Sequence, residues 1–138
     1  MRPGANGSRR LHPVSGLTGR AGGLGQGGGL AGRLERGEVR LCRFPSPDKE
    51  RPVLILTRAS AISYLSRVTV APITSTIRGV PSEVPLGPED GMRQPCAANL
   101  HNLLTIDQKG LGRRLAQLNS RRMREVCRAL AFALGCDG

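Results

Sequence analysis

Two short apolar runs set the limits on what this chain can become. Val53, Leu54, Ile55 and Leu56 form the first, and Val68, Val70, Ala71 and Ile73 dominate the second. Each has strand length and is rich in residues that suit a pleated surface. Residues 59–66 between them lack alternation and read as a loop or a helical turn. Arg51-Pro52 stands before the first run, and Thr74 closes the second. Two paired strands bring their ends together, so a guanidinium and a hydroxyl, both suited to a phosphate, can meet at one sheet edge. Pro72 removes a ladder donor inside the second run, which argues for an edge strand or a bulge.

Shorter patterns supply further strands. Residues 38–44 alternate polar and apolar and predict a half-buried strand, with Val39 and Leu41 inward and Cys42 or Phe44 as further inward candidates. Residues 45–50 form a loop of prolines and charges, and 87–91 a turn cluster. Strands are expected at 82–86, 95–100 and 113–118. Residues 103–111 are mixed, with Asp107 suited to cap a short helical turn. The C-terminus carries the clearest helix. Asn119 or Ser120 caps it, and Met123, Val126, Cys127, Leu130, Ala131 and Leu134 share one face at the helical period. Gly135 stands where a left-handed C-cap belongs. Arg121, Arg122, Arg124 and Arg128 take the outer surface, read as a solvated face or one for an acidic partner. The sum is a mainly β fold, a small barrel with a terminal helix packed on it.

Charge narrows the partners. The formal net charge is +11, with 21 Lys and Arg against 10 Asp and Glu over 138 residues. That favours a polyanion: nucleic acid, an acidic protein or an anionic membrane surface. Part of the excess sits in residues 1–35, which are dense in Gly and Arg and lack any apolar period, so we expect them disordered ahead of a folded domain at 36–138. The four cysteines include no Cys-x-x-Cys pair and no His at ligand spacing, which argues against zinc. Cys42, Cys96 and Cys127 lie in apolar runs and suit reduced, buried thiols. No apolar run is long enough to span a bilayer, and no signal-peptide core is present, so the expectation is a cytoplasmic protein with no membrane partner. So few large apolar side chains make a marginal monomer, and a homodimer would bury more.

The motifs, taken in order, carry a family resemblance. Gly37-Glu38-Val39 resembles the opening of the first strand in the MazF/PemK toxin endoribonucleases. Arg51-Pro52-Val53-Leu54-Ile55-Leu56 resembles that family's RPVLVL strand, and Val70-Ala71-Pro72-Ile73-Thr74-Ser75 its V-x-P-[IVL]-T-S strand. Thr105-Ile106-Asp107 and the closing helix are similar to its later pattern. The resemblance implies an SH3-like barrel that forms a homodimer. It also implies cofactor-free and metal-independent, sequence-specific cleavage of single-stranded RNA, often mRNA, which stops translation and growth. The implied partner is a cognate acidic antitoxin, with DNA contacted only through it. The family's active-site Arg and Thr match Arg51 and Thr74.

Elementary chemistry agrees with those two positions. Attack by the neighbouring 2′-hydroxyl needs a base, an acid and a cationic or hydrogen-bonding group at the phosphorane. Arg51 suits the last role through its fork geometry, and Thr74 can donate to a nonbridging oxygen. His101 stands where the family often carries Asp. Its pKa range suits general acid–base work, so it joins the catalytic candidates. Lys49, Ser75, Arg78, Asn99 and Asn102 are the candidates for RNA contacts. With one Tyr, two Phe and no Trp, base stacking cannot dominate, and sequence choice falls to hydrogen bonds and groove shape. Two other classes compete: a non-catalytic RNA-binding barrel, and a topoisomerase poison built on a related fold.

Overall fold

The computed structural model describes residues 33–44 and 50–137. The expected disordered segment falls outside the described residues as far as residue 32, and so does the loop 45–49 with Lys49. Seven strands form among the described residues: β1 (Glu38–Arg43), β2 (Glu50–Ile55), β3 (Arg67–Thr74), β4 (Glu83–Leu86), β5 (Cys96–Asn99), β6 (Leu104–Asp107) and β7 (Leu111–Gln117). A one-turn helix, α1 (Ala59–Ile62), joins β2 to β3, and α2 (Ser120–Leu134) closes the chain. All pairings are antiparallel, in the order β4-β5-β3-β2-β1-β7, with β6 also on β3.

Strand β3 is the axis of the sheet. One edge pairs with β2. The other pairs first with β6, over Arg67 to Val70, and then with β5, at Ile73 and Thr74. The expectation of an edge strand or bulge at Pro72 is therefore corrected: β3 is central. The ladder explains why proline is tolerated there. Leu56 N donates to Thr69 O at 3.0 Å, so the hydrogen-bonded pairs with β2 fall on alternate residues that exclude Pro72. The missing amide hydrogen of Pro72 would point to the opposite edge, at the gap between β6 and β5.

The sheet curls into a half-barrel. β4 and β7 stand at opposite ends of the strand order and do not pair. Yet Gly91, just after the 3-10 turn Pro88–Asp90 that follows β4, lies so near β7 that a Cβ there would stand 3.2 Å from Ala116 Cβ. Inside the curl, Val39, Leu54, Ala71, Ile73, Val84 and Leu100 pack with Met123, Val126 and Ala129 of α2. On the other face Cys42, Val53, Ile55, Ile62, Val68 and Val70 form a second cluster, capped by α1 and joined by Leu34 and Phe44.

Two apolar faces correct the reading of β1 as half-buried. Glu38 and Arg40 are 3% and 5% exposed, and Arg40 Nε donates to Glu38 Oε1 at 2.8 Å. The strand lies between β2 and β7 with Cys42 in the second cluster, so its polar residues are enclosed and must pair.

The helix forms as its caps dictate. Asn119 accepts from Arg122 N, and Gly135 closes the helix at φ 75°. Its buried face is shifted from the one expected, to Met123, Val126 and Ala129 with Leu130 half-buried, while Cys127 and Leu134 are exposed. Arg122 is not part of a solvated face. Its guanidinium binds Asp90 through Nε (2.9 Å) and Nη2 (3.1 Å), Glu125 through Nη1 (2.8 Å) and Glu89 through Nη2 (3.1 Å). Asp107 caps the expected turn, accepting from Lys109 N at 2.9 Å. Strand β6, immediately before it, lies in the stretch read as mixed. It is four residues long, and only Ile106 and Asp107 are buried, too short a signal to show alternation.

Candidate active site

The β2–β3 register decides where Arg51 and Thr74 stand. The observed pairs are Val53↔Pro72, Leu54↔Ala71 and Ile55↔Val70. Carried two residues on, the same register aligns Arg51 with Thr74. The alternation places both on the face that buries Val53, Ile55 and Val70. It also makes them a non-hydrogen-bonded pair, the kind whose side chains lie closer together. Thr74 is half-buried and Arg51 exposed, at the open mouth of the two strands. Thr74 Oγ1 accepts from Thr76 N at 3.0 Å, which fixes the rotamer and leaves the hydroxyl proton to donate.

The row through these residues extends both ways. Cys42 pairs with Arg51 on β1, and Ala97 with Thr74 on β5. Burial pushes the Cys42 thiol up to about 12, so it stays protonated and is no nucleophile. One row along on β5 comes Asn99, half-buried, on the same face as Thr74. Ser75 and Arg78 are exposed on the loop that follows β3.

His101 is placed differently. It lies four residues beyond Ala97, in the turn past the end of β5. Its Nδ1 is hydrogen-bonded to the Ser82 hydroxyl, and its amide donates to Asn99 Oδ1 at 3.1 Å. The ring is thereby oriented, with Nε2 left for other partners. Asn102 is exposed in the same turn. The register thus sets Arg51 and Thr74 on neighbouring strands of one face, with Asn99 on the next strand one row away and His101 in the turn beyond it.

Two residues with no role in the sequence reading belong to this surface. Ser82 orients His101. Glu83, only 7% exposed, pairs with Asn99 across β4 and β5. A polar Ser-Glu pair opening an otherwise apolar strand is the signal that marks them. Among the described residues no group of three or more His, Cys, Asp or Glu could hold a metal ion.

A family model described as PemK-like, MazF-like toxin of type II toxin–antitoxin system matches residues 35–134, most of the chain. The chain belongs to this family. The match spans every described strand and α2, and so takes in the Arg51–Thr74 mouth. Endoribonuclease MazF3 of Mycobacterium tuberculosis is 41% identical over 90 residues, covering 65% of this chain and 87% of that protein. The solved structure of Mycobacterium tuberculosis toxin MazF-mt6 superposes with a TM-score of 0.67 at 37% identity, covering 73% of this chain and 99% of that one. An endoribonuclease solved in complex with its cognate antitoxin, from a mycobacterial species, gives 0.68 at 28% identity, covering 76% and 98%. The PemK/MazF likeness read from Arg51-Pro52-Val53 and Pro72-Ile73-Thr74 is borne out.

Proposed function

We propose that this chain is the toxin of a type II toxin–antitoxin pair, an endoribonuclease that cuts single-stranded RNA, mRNA above all, in the cytoplasm and so halts translation. What supports the reading is the β2–β3 register, observed from Val53↔Pro72 to Ile55↔Val70, which when continued aligns Arg51 with Thr74 on one face, in a chain with relatives named endoribonucleases. The reaction is attack by the 2′-hydroxyl on the adjacent phosphorus. It forms a cyclic phosphate and expels the 5′-oxygen. Arg51 offers two parallel N–H donors to the nonbridging oxygens, whose charge grows in the phosphorane, and Thr74 donates a third hydrogen bond. The nucleophile comes from the substrate, so no metal or cofactor is required to generate it.

Asn99, Ser75, Arg78 and Asn102 contact the RNA strand, and Lys49, outside the described residues, adds a cation for its backbone. The imidazole of His101 is a group able to carry the proton transfers. Its distance from the Thr74 row favours contact with a flanking nucleotide, and the pH–rate profile of His101→Ala separates the two roles. Loss of a limb near neutrality assigns the acid–base role; an intact profile with raised KM assigns the contact.

The partner of stated chemistry is an acidic antitoxin, complementary to a net charge of +11, as in the relative solved with its own. A homodimer is part of the same reading. Tyr64, Leu65, Ile77, Val80, Phe132 and Leu134 are exposed, apolar area that a second copy can cover. The test is incubation of purified protein with total RNA in chelator, followed by mapping of fragment 5′ ends. Discrete cleavage at a short motif, lost in Arg51→Ala, supports the reading. Absence of fragments refutes it and returns the non-catalytic barrel.

A further inference from the structure

Glu83 is the most unusual side chain on the site's surface. It is more than nine-tenths buried. Its Oε1 accepts from the backbone amides of Arg78 and Gly79, both at 2.9 Å, which tethers the exposed loop 75–80. Its Oε2 is buried with no hydrogen-bond partner among the described residues. A stranded carboxylate oxygen is costly, and native proteins keep such groups where something else completes them. Directly across the ladder stands Asn99. Its Oδ1 is taken by His101 N, and no described residue accepts from its Nδ2. One buried, unmet acceptor and one uncommitted amide group thus sit on neighbouring residues, on the face that carries Thr74.

Position and charge say what fits there. Glu83 is two strands from Thr74, about 10 Å, so it is too far to serve the same phosphate. A carboxylate repels phosphate and attracts N–H donors, and on RNA those are on base edges. With so few aromatics, the edge is also where this chain must obtain its selectivity. Building on the endoribonuclease reading, we propose that Glu83 and Asn99 together read the Watson–Crick edge of one base beside the cleaved bond: Glu83 Oε2 accepts a base N–H, and Asn99 Nδ2 donates to the neighbouring base acceptor. Oε2 is sealed in the free chain. The base reaches it as loop 75–80, held to Glu83 by two hydrogen bonds, shifts.

Glu83→Gln tests this directly. The glutamine oxygen keeps both loop amides, while an NH2 donor replaces the acceptor. Asn99→Asp makes the opposite change and keeps the bond to His101 N. Cleavage is measured on oligonucleotides carrying each of the four bases at every position of the mapped motif. The expected result is a change of preference at one position, the same for both variants, with the ratio of preferred to other bases falling about tenfold or more. Unchanged preference at every position in a folded Glu83→Gln overturns the assignment alone, as do changes at two different positions. If Glu83→Gln does not fold, Asn99→Asp decides by the same criterion. Wild type that cuts no RNA overturns the endoribonuclease reading and this one with it.

Discussion

Arg122 offers the sharpest test of what holds the curl closed. It stands in the first turn of α2 and grips Asp90, thirty-two residues earlier, through two hydrogen bonds. The Arg122 side chain is 13% exposed and that of Asp90 4%. Replacing Arg122 by Met keeps most of the aliphatic stem and strands the Asp90 carboxylate with one remaining partner, Gly87 N at 3.0 Å. Removing one member of a buried pair costs about 3–5 kcal/mol, and a single hydrogen bond to a charged group about 1.5–3 kcal/mol. Asp90 keeps its bond from Gly87 N, so about 2–3 kcal/mol is expected. For a folded unit of this size that lowers Tm by on the order of 10–20 °C.

The same pair sets a pH signature. Burial raises the Asp90 pKa, but the bonds from Arg122 and Gly87 and the charges of Arg122 and Arg121 outweigh it and leave it below the ordinary carboxylate value. A folded pKa below the unfolded one contributes stability above the unfolded value, near 3.9, and that stability is lost as pH falls through the folded value. Thermal melts at fixed protein concentration across pH 3–7 should therefore show an acid-side decline that is shallower in Arg122→Met. A cycle with Asp90→Asn should give a coupling of at least about 1.5 kcal/mol. An Arg122→Met protein within about 0.5 kcal/mol of wild type at pH 7 would refute the reasoning.

Other outcomes follow from the site and the core. Arg51→Ala should lower kcat/KM on a fluorogenic oligonucleotide by about a hundredfold or more, and Thr74→Val by about tenfold, with far-UV spectra unchanged. A thiol reagent at pH 8 should modify the exposed Cys127 and Cys136 of the native protein, while Cys42 and Cys96, both buried and with raised pKa, react only after denaturation. Gly91→Ala should cost about 1–2 kcal/mol in urea unfolding, since its φ of 93° is left-handed and its Cβ would press on Ala116.

What could be read from the residues was what short-range physics governs. The runs 53–56 and 68–73 read as strands from their length and composition, and Asn119 and Gly135 bracket α2 because caps act within a few residues. The edges of the strand pair, Arg51 and Thr74, followed from the same runs. Long-range pairing was not visible. Nothing near Arg122 in sequence points to Asp90, and nothing near Pro72 says that β6 gives way to β5 beside it. Cys127 and Leu134 fit the helical period as well as Ala129 does, but only the curl of the sheet decides which residues face in. Glu83 looked like one polar residue in a strand until its partner loop and Asn99 were placed around it.

The changeover along β3 divides the molecule's labour. The β4–β5 hairpin joins the rest of the sheet through two residues, Ile73 and Thr74, beyond a proline that leaves a gap in the ladder. Arg51 is anchored on the other side, in the firmly paired β1–β2–β3 segment. On the proposed reading, substitutions on the hairpin's polar face act first on what is recognised and reach the groups at the cleaved phosphate only through Thr74, which pairs with Ala97. A lineage built this way can diversify its targets while inheriting its chemistry.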